Sequence, residues 1–362
     1  MKRTLNKSSS FLFCLSYLIF LTYSLLGHIP MFGPVLKYST YFAIIILFFS
    51  FFLQMKSYYA KELIIIFYIL FIAIINIVQT EDYTLFKLIM FLITTKNLDF
   101  KRCVRFDLYS RIILVSIVII LYYIGIAPDV LSYYEGEYRH SLGFTNPNAL
   151  GMCILIIGLE ILYLGDMKIK FGGLLIIGLL FAFQNYYAGS RTASLVLIFA
   201  TTLALILQIY PTIFKKWIVK IFIINSAFIF SAITFFIVFL YMRNNSLAIV
   251  FNELLSYRIY NISVYTESLG ISLFGHSISD IGLALDNAYA YSLYGLGVIS
   301  ILLFIISFNK LFKVLYLKRH FPLILIMLCF TFYGISERLW LSIDYNIFML
   351  AFRELLYKHK YS

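Results

Sequence analysis

Arginine, aspartate and histidine recur in this sequence inside short polar islands that interrupt long apolar runs. One island runs from Glu135 through Arg139 and His140 to Asn146-Pro147-Asn148, and a second is Tyr186-Tyr187-Ala188-Gly189-Ser190-Arg191-Thr192. A third is distributed over Arg258, Phe274-Gly275-His276-Ser277 and Asp286-Asn287-Ala288-Tyr289. Arginine keeps its charge and grips phosphate oxygens bidentately, while a carboxylate or an imidazole takes a proton from a hydroxyl. Arg139, Arg191 and Arg258 are therefore candidate anion-binding groups. Asp286 is the candidate proton acceptor, with His276 and His140 as rivals, and Asn146 and Asn287 complete the polar set.

Each of these residues also has a plainer reading. Asn146-Pro147-Asn148 has the composition of a helix start, proline fitting the first turn and asparagine its orphan N–H groups. Arg191 lies in a short turn between two apolar runs and can snorkel to an interface. Asp286-Asn287 also opens an apolar run, where a carboxylate is favourable at a helix N-terminus. Glu160, inside an apolar run, reads as an interfacial acid beside Lys168 and Lys170 or as an intramembrane relay.

The elements that must hold these groups are transmembrane helices. The chain has 362 residues, 62% of them hydrophobic and 13% charged, with a mean hydropathy of +0.92. The apolar runs are continuous rather than alternating, which selects an all-α integral membrane protein over a barrel. Runs of roughly 17 to 25 apolar residues cross about 30 Å of hydrocarbon. They predict about twelve transmembrane helices, near 11–28, 38–54, 62–79, 83–98, 108–126, 147–164, 171–187, 192–210, 217–242, 288–308, 321–335 and 340–355. The fourth, eleventh and twelfth are short or polar and admit a tilted, re-entrant or interfacial course.

The net charge of +12 does not indicate nucleic acid, because most of the 29 Lys and Arg sit in short clusters between apolar runs. With the N-terminus inside, the clusters fall on the cytoplasmic side and only Lys37, Arg139, Arg191, Arg243, Arg258 and Arg338 fall outside, among most of the acids. The start of the chain reads as a retained first span rather than a cleaved signal. Four cysteines, Cys14, Cys103, Cys153 and Cys329, lack metal-like spacing. Residues 1–362 thus form a single polytopic membrane domain with two large extracytoplasmic loops, 127–146 and 243–287. The second is long enough to carry helices of its own.

Three stretches in this order, Arg139-x-x-x-Gly143-Phe144-x-Asn146-Pro147-Asn148, then Gly189-Ser190-Arg191-Thr192, then Phe274-Gly275-His276 leading to Asp286-Asn287-x-Tyr289 with Gly295 and Gly297, resemble the bacterial O-antigen and capsular polysaccharide polymerases. That family shares an architecture with the O-antigen ligases. The resemblance covers roughly residues 135–297. It implies a GT-C-like membrane glycosyltransferase in the bacterial cytoplasmic membrane, with both termini cytoplasmic. The reaction would join undecaprenyl-diphosphate-linked oligosaccharide repeat units at the outer face, with no cofactor, nucleotide sugar or obligatory metal. A flippase and a chain-length regulator would be its partners, together with membrane lipid. In this reading Asp286, Arg191 and Arg139 are catalytic, and Arg258, His276, Asn287, His140 and Asn146 bind diphosphate and glycan. Related ligases carry a histidine before the asparagine that here follows Asp286, which leaves the base open. A ligase-type transferase and a flippase for the same lipid-linked sugars are the alternatives. A transporter would bury its charged site near the membrane midplane on broken helices, whereas these charges gather at helix ends.

Overall fold

The computed structural model describes residues 2–134 and 137–357 and is helical almost throughout. The first helices are α1 (Lys2–Leu26), α2 (Gly33–Gln54), α3 (Ala60–Thr80), α4 (Thr84–Ile93), α5 (Phe100–Tyr123), α6 (Pro147–Leu164), α7 (Phe171–Phe183) and α8 (Arg191–Ile209). They are followed by α9 (Trp217–Ile224), α10 (Ser226–Met242), α11 (Ser246–Leu254), α12 (Arg258–Ser268), α13 (Ala288–Tyr294), α14 (Val298–Leu317), α15 (Phe321–Tyr333) and α16 (Arg353–Leu356). Between α5 and α6 a small antiparallel pair, β1 (Ser132–Tyr134) and β2 (Glu137–Arg139), sets Ser132 opposite Arg139 and Tyr133 opposite Tyr138.

Seven helical stretches among the described residues are long and apolar enough to cross a membrane, and the bent pair α9 and α10 makes an eighth if it is one span. The chain is therefore a multi-pass helical membrane protein in composition and element length. The 64° bend between α9 and α10 falls at Asn225. Its amide donates to the Ile221 carbonyl and its side-chain oxygen accepts from Asn309, so a side chain competes with the helix ladder.

Three expected spans take another form. Ten-residue α4 rises about 15 Å, half the hydrocarbon thickness. The run expected over 288–308 is broken where Gly297 takes φ +93°, so the long helix begins at Val298 and extends to Leu317. Residues 339–356 form two 3₁₀ segments and the four-residue α16 in place of a span. Asp344 accepts from the sequence-distant Ser24 hydroxyl and Asn346 caps the second 3₁₀ segment, one tertiary and one local bond that compete with a continuous helix.

The chain divides into two compact units. The first comprises Met1–Tyr59, Met90–Thr212 and Ile343–Arg353, and the second comprises Ala60–Ile89, Ile213–Ser342 and Glu354–Ser362.

In the first unit, α6 is the centre, buried on nearly every side, as expected of a helix without a polar face. Glycines let α8 close on it. A Cβ on Gly151 would lie 2.4 Å from that of Ser190, and one on Gly158 would lie 2.6 Å from Leu197. Arg111, Asp107 and Glu160 are fully buried here. Arg111 Nη2 donates to both Asp107 oxygens at 3.0 and 2.9 Å and to the Tyr17 hydroxyl at 3.3 Å. Glu160 is thus enclosed within the protein rather than exposed like Lys168 and Lys170. Because α6 is enclosed on all sides, even its polar positions face protein.

In the second unit, α10, α14 and α15 form the apolar body, with Trp340 stacked on Phe330 and edge-on to Phe308. The segment expected to hold helices of its own, 243–287, carries α11 and α12.

Candidate functional site

Four of the eight candidate residues, Arg139, His140, Asn146 and Arg191, belong to the first unit. Asn146 is the cap of α6: its side-chain oxygen accepts from the Ala149 N–H at 2.8 Å, and Pro147 takes the first turn. Gly143, at φ +89°, leads into it. A Cβ there would meet Tyr122, Ala127 and the Val118 carbonyl at 3.0–3.1 Å, so the chain passes close over the end of α5 only as glycine.

Just before this turn, His140 Nδ1 pairs with Asp129 Oδ2 at 2.6 Å. The other Asp129 oxygen accepts from the Ser141 and Leu142 N–H groups at 2.8 and 3.1 Å. Burial works to raise the Asp129 carboxyl, but these bonds outweigh it and hold it below the usual aspartate range. Asp129 thereby fixes the ring of His140. The His140 N–H donates to the Tyr187 carbonyl at 2.9 Å and so joins this loop to the turn that precedes α8.

That turn is a π-helical turn over Gln184–Ala188, closed by Gly189 at φ +53°. A Cβ on Gly189 would lie 2.9 Å from Arg139 Cγ and 3.1 Å from its Nε. The stem of Arg139 therefore lies on bare glycine backbone, two residues from exposed Arg191 at the start of α8. Small residues at 188–190 make this approach possible. The sequence placed these two arginines in separate islands, and the fold brings the islands together.

The other four, Arg258, His276, Asp286 and Asn287, belong to the second unit. Ser256 and Tyr257 both take positive φ and turn the chain sharply out of α11. The buried Asn252 side chain accepts the Tyr260 N–H at 2.8 Å, and α12 begins with Arg258 turned inward. Arg258 Nη2 donates to Glu337 Oε1 at 2.5 Å, and Arg258 Nε lies 3.7 Å from Asp286 Oδ2. That Nε is buried and has no hydrogen-bond partner among the described residues. Asp286 is about a third exposed, whereas Glu337 is buried. Burial pushes the Glu337 carboxyl up to about 8; Arg258 and Arg338 oppose this and Asp286 adds to it.

Asn287 is fully engaged in structure. Its oxygen accepts the Tyr289 and Ala290 N–H groups, both at 2.9 Å, and its amide donates to the Ile335 carbonyl at 2.6 Å. The adjacent Ala288 N–H donates to Gly334 at 2.9 Å. The start of α13 is thus tied to the segment that carries Glu337. Arg338 stacks over the Tyr291 ring at 4.5 Å, and the Tyr291 hydroxyl donates to Asp82.

His276 has a different setting. Its N–H donates to the Tyr294 carbonyl, and its ring nitrogen Nε2 pairs with the Gly270 carbonyl at 2.8 Å. Phe274-Gly275-His276 runs backbone to backbone with Gly295-Leu296-Gly297: a Cβ on Gly275 would lie 2.2 Å from the Gly295 carbonyl oxygen, and one on Gly297 2.4 Å from that of Leu273. These glycines serve close packing.

Sequence reasoning did not single out Glu337, Asp129, Arg338 or Asn252 as site residues. An adjacent Glu337-Arg338 pair between apolar segments was the available signal. Among the described residues no group of three or more His, Cys, Asp or Glu side chains is placed to hold a metal ion. What the second cluster offers is a carboxylate about a third exposed beside an arginine whose Nε makes no hydrogen bond among the described residues, suited to a hydroxyl and an anion. Comparison with protein-family models, curated proteins and solved structures finds no match.

Proposed function

We propose that the chain is a polysaccharide polymerase that joins polyprenyl-diphosphate-linked oligosaccharide repeat units at the outer face of the bacterial cytoplasmic membrane. The accompanying topology has about twelve passes of GT-C type and both termini cytoplasmic, an even count in which α4, α15 and residues 339–356 are taken to cross despite their short or irregular helices. The observation that carries this reading is Arg258, whose buried Nε makes no hydrogen bond among the described residues and lies 3.7 Å from the partly exposed Asp286 carboxylate. The ordered sequence stretches around Arg139, Arg191 and Asp286 support it.

In the reaction the bond between the donor's anomeric carbon and its diphosphate oxygen breaks, and a bond to a hydroxyl oxygen of the incoming repeat unit forms. The hydroxyl proton passes to Asp286, opposite the leaving group if the carbon inverts, much as in inverting glycoside hydrolysis with a sugar in place of water. Lipid diphosphate leaves with its electron pair and needs no general acid. Negative charge accumulates on it as it departs, so fixed arginines stabilise the transition state more than the ground state. Arg258 is assigned to diphosphate on its local geometry, and Arg139 and Arg191 carry the same assignment from the sequence stretches alone. Glu337 holds Arg258 in place.

The test is a polymerisation assay with purified protein and lipid-linked repeat units alone. Ladders are expected; single transfers to an added foreign acceptor with no ladder would mark a ligase, and translocation without new glycosidic bonds a flippase. At matched protein levels Arg191→Ala should slow ladder formation by roughly 10²- to 10³-fold, the scale of a lost transition-state donor. Arg191→Lys should recover little, since lysine lacks the bidentate fork. Wild-type chain lengths from both variants would remove Arg191 from the mechanism.

A further inference from the structure

In the second unit, a cavity of about 500 Å³ is lined by Lys215, Lys220, Lys313 and Arg319 together with Ile224, Tyr316, Leu317 and Phe321. No acid lines it. Lys318, next in sequence to Arg319, is engaged with Glu354, whereas the four lining cations are exposed. Lys220 Nζ sits 5.7 Å from the centre of the Tyr316 ring. The Tyr316 hydroxyl is buried without a hydrogen-bond partner among the described residues, a donor awaiting an acceptor.

Position decides what kind of anion fits. The cavity lies where α14 ends and α15 begins, and α14's 20 residues rise about 30 Å, the thickness of the hydrocarbon layer. Arg258, Asp286 and Glu337 gather around the far end of α15, where Gly334 and Ile335 bind the start of α13. The cavity is therefore at a helix end, at headgroup level. Leu317 lines the cavity, and Trp217 and Ile218 lie between Lys215 and Lys220 in sequence; all three are strongly exposed acyl-compatible side chains, and tryptophan is an interfacial residue. Cationic pockets between membrane helices, bordered by apolar surface, match a phosphate head and its tails.

We propose that this cavity binds the phosphate headgroup of an anionic phospholipid, with Lys215, Lys220, Lys313 and Arg319 around the phosphate and the chains lying along Leu317 and α9. This site is separate from the proposed transferase chemistry and does not depend on it.

The full-length protein in neutral detergent, mixed with equal amounts of phosphatidylglycerol and phosphatidylcholine, tests this by native mass spectrometry. Phosphatidylglycerol should be retained preferentially, by about fivefold per engaged cation. The preference should disappear in Lys215→Gln/Lys220→Gln/Lys313→Gln/Arg319→Gln. It should persist in Lys56→Gln/Lys61→Gln/Lys168→Gln/Lys170→Gln, which removes the same charge elsewhere. Equal retention of the two lipids by the wild type overturns the proposal, as does equal loss in both quadruple variants. Displacement of the lipid by millimolar inorganic phosphate would reassign the site to free phosphate and also overturn it. Should the cavity variant fail to yield monodisperse protein, Lys313→Glu alone takes its place, and an unchanged lipid ratio there overturns the proposal.

Discussion

Glu337 is a buried carboxyl held by an arginine, and the two influences oppose each other. Burial, the larger, pushes it up to about 8 from an ordinary value of 4.5, while Arg258 pulls it down. Between those values the folded protein keeps a proton that the unfolded chain has released. Its contribution to stability is therefore whole below about pH 4.5 and declines as pH rises toward 8. Melting of the purified protein, followed from about pH 5 to about pH 9, should show this fall in the wild type and a flatter profile in Glu337→Gln. Parallel profiles would mean that Glu337 carries no such proton. Ionisation of Glu337 also removes one unit of positive charge from around Arg258 and Asp286. In the proposed reaction, diphosphate affinity should therefore weaken as pH passes through about 8, and Glu337→Gln should abolish that dependence. An inhibition series with a diphosphate analogue measures it, and an affinity that is flat with pH in the wild type would detach Glu337 from the site.

Elements here are positioned more by glycine than by any charged group. The backbone contact between Phe274-Gly275-His276 and Gly295-Leu296-Gly297 fixes where α13 stops and α14 starts. Gly275→Ala puts a Cβ on a residue at φ +93°, 2.2 Å from a carbonyl oxygen, and should cost about 2 kcal/mol or more. Gly270→Ala, where a Cβ meets nothing within 4 Å, should be near neutral. Thermal unfolding with size-exclusion profiles compares the two, and equal stability would show that the contact is not tight. The same residues mark what the sequence made legible. Helix starts at Pro147 and Ala288 were readable because asparagine caps have a local chemical signature, and so were the long apolar helices. The break at Gly297, the 3₁₀ course of 347–352 and the burial of Glu160 were not readable: a facing backbone decides the first, the Asn346 cap does not distinguish a 3₁₀ from an α-helical course in the second, and the enclosure of α6 decides the third. Arg258 and Asp286 were chosen from residue type and loop position, and they do come together. Glu337 was missed because its partner lies 79 residues away in sequence.

For the whole molecule the governing constraint is charge across a membrane. Spans placed one way put nearly all lysines on one side and leave that side's opposite rich in acids and arginines, and a single misplaced pass would invert every later segment. Among the described residues seven to eight stretches are able to cross, besides the short α4 and α15 and the 24-residue α5, which carries a buried Asp107–Arg111 pair. Parity therefore rests on elements that length alone does not settle, and the proposed reaction requires the segment holding α11 and α12 to face outward. Ser268 closes α12, so an epitope inserted beside it should disturb little of the Arg258 end of that helix. Antibody should reach it on intact spheroplasts, while a second epitope at the C-terminus should need permeabilisation. Signal at Ser268 only after lysis would reverse the topology and remove the outward-facing transferase reaction with it. Signal at both positions without lysis would mean an even number of passes between Ser268 and the C-terminus, with α15 or residues 339–356 as the first to reassign.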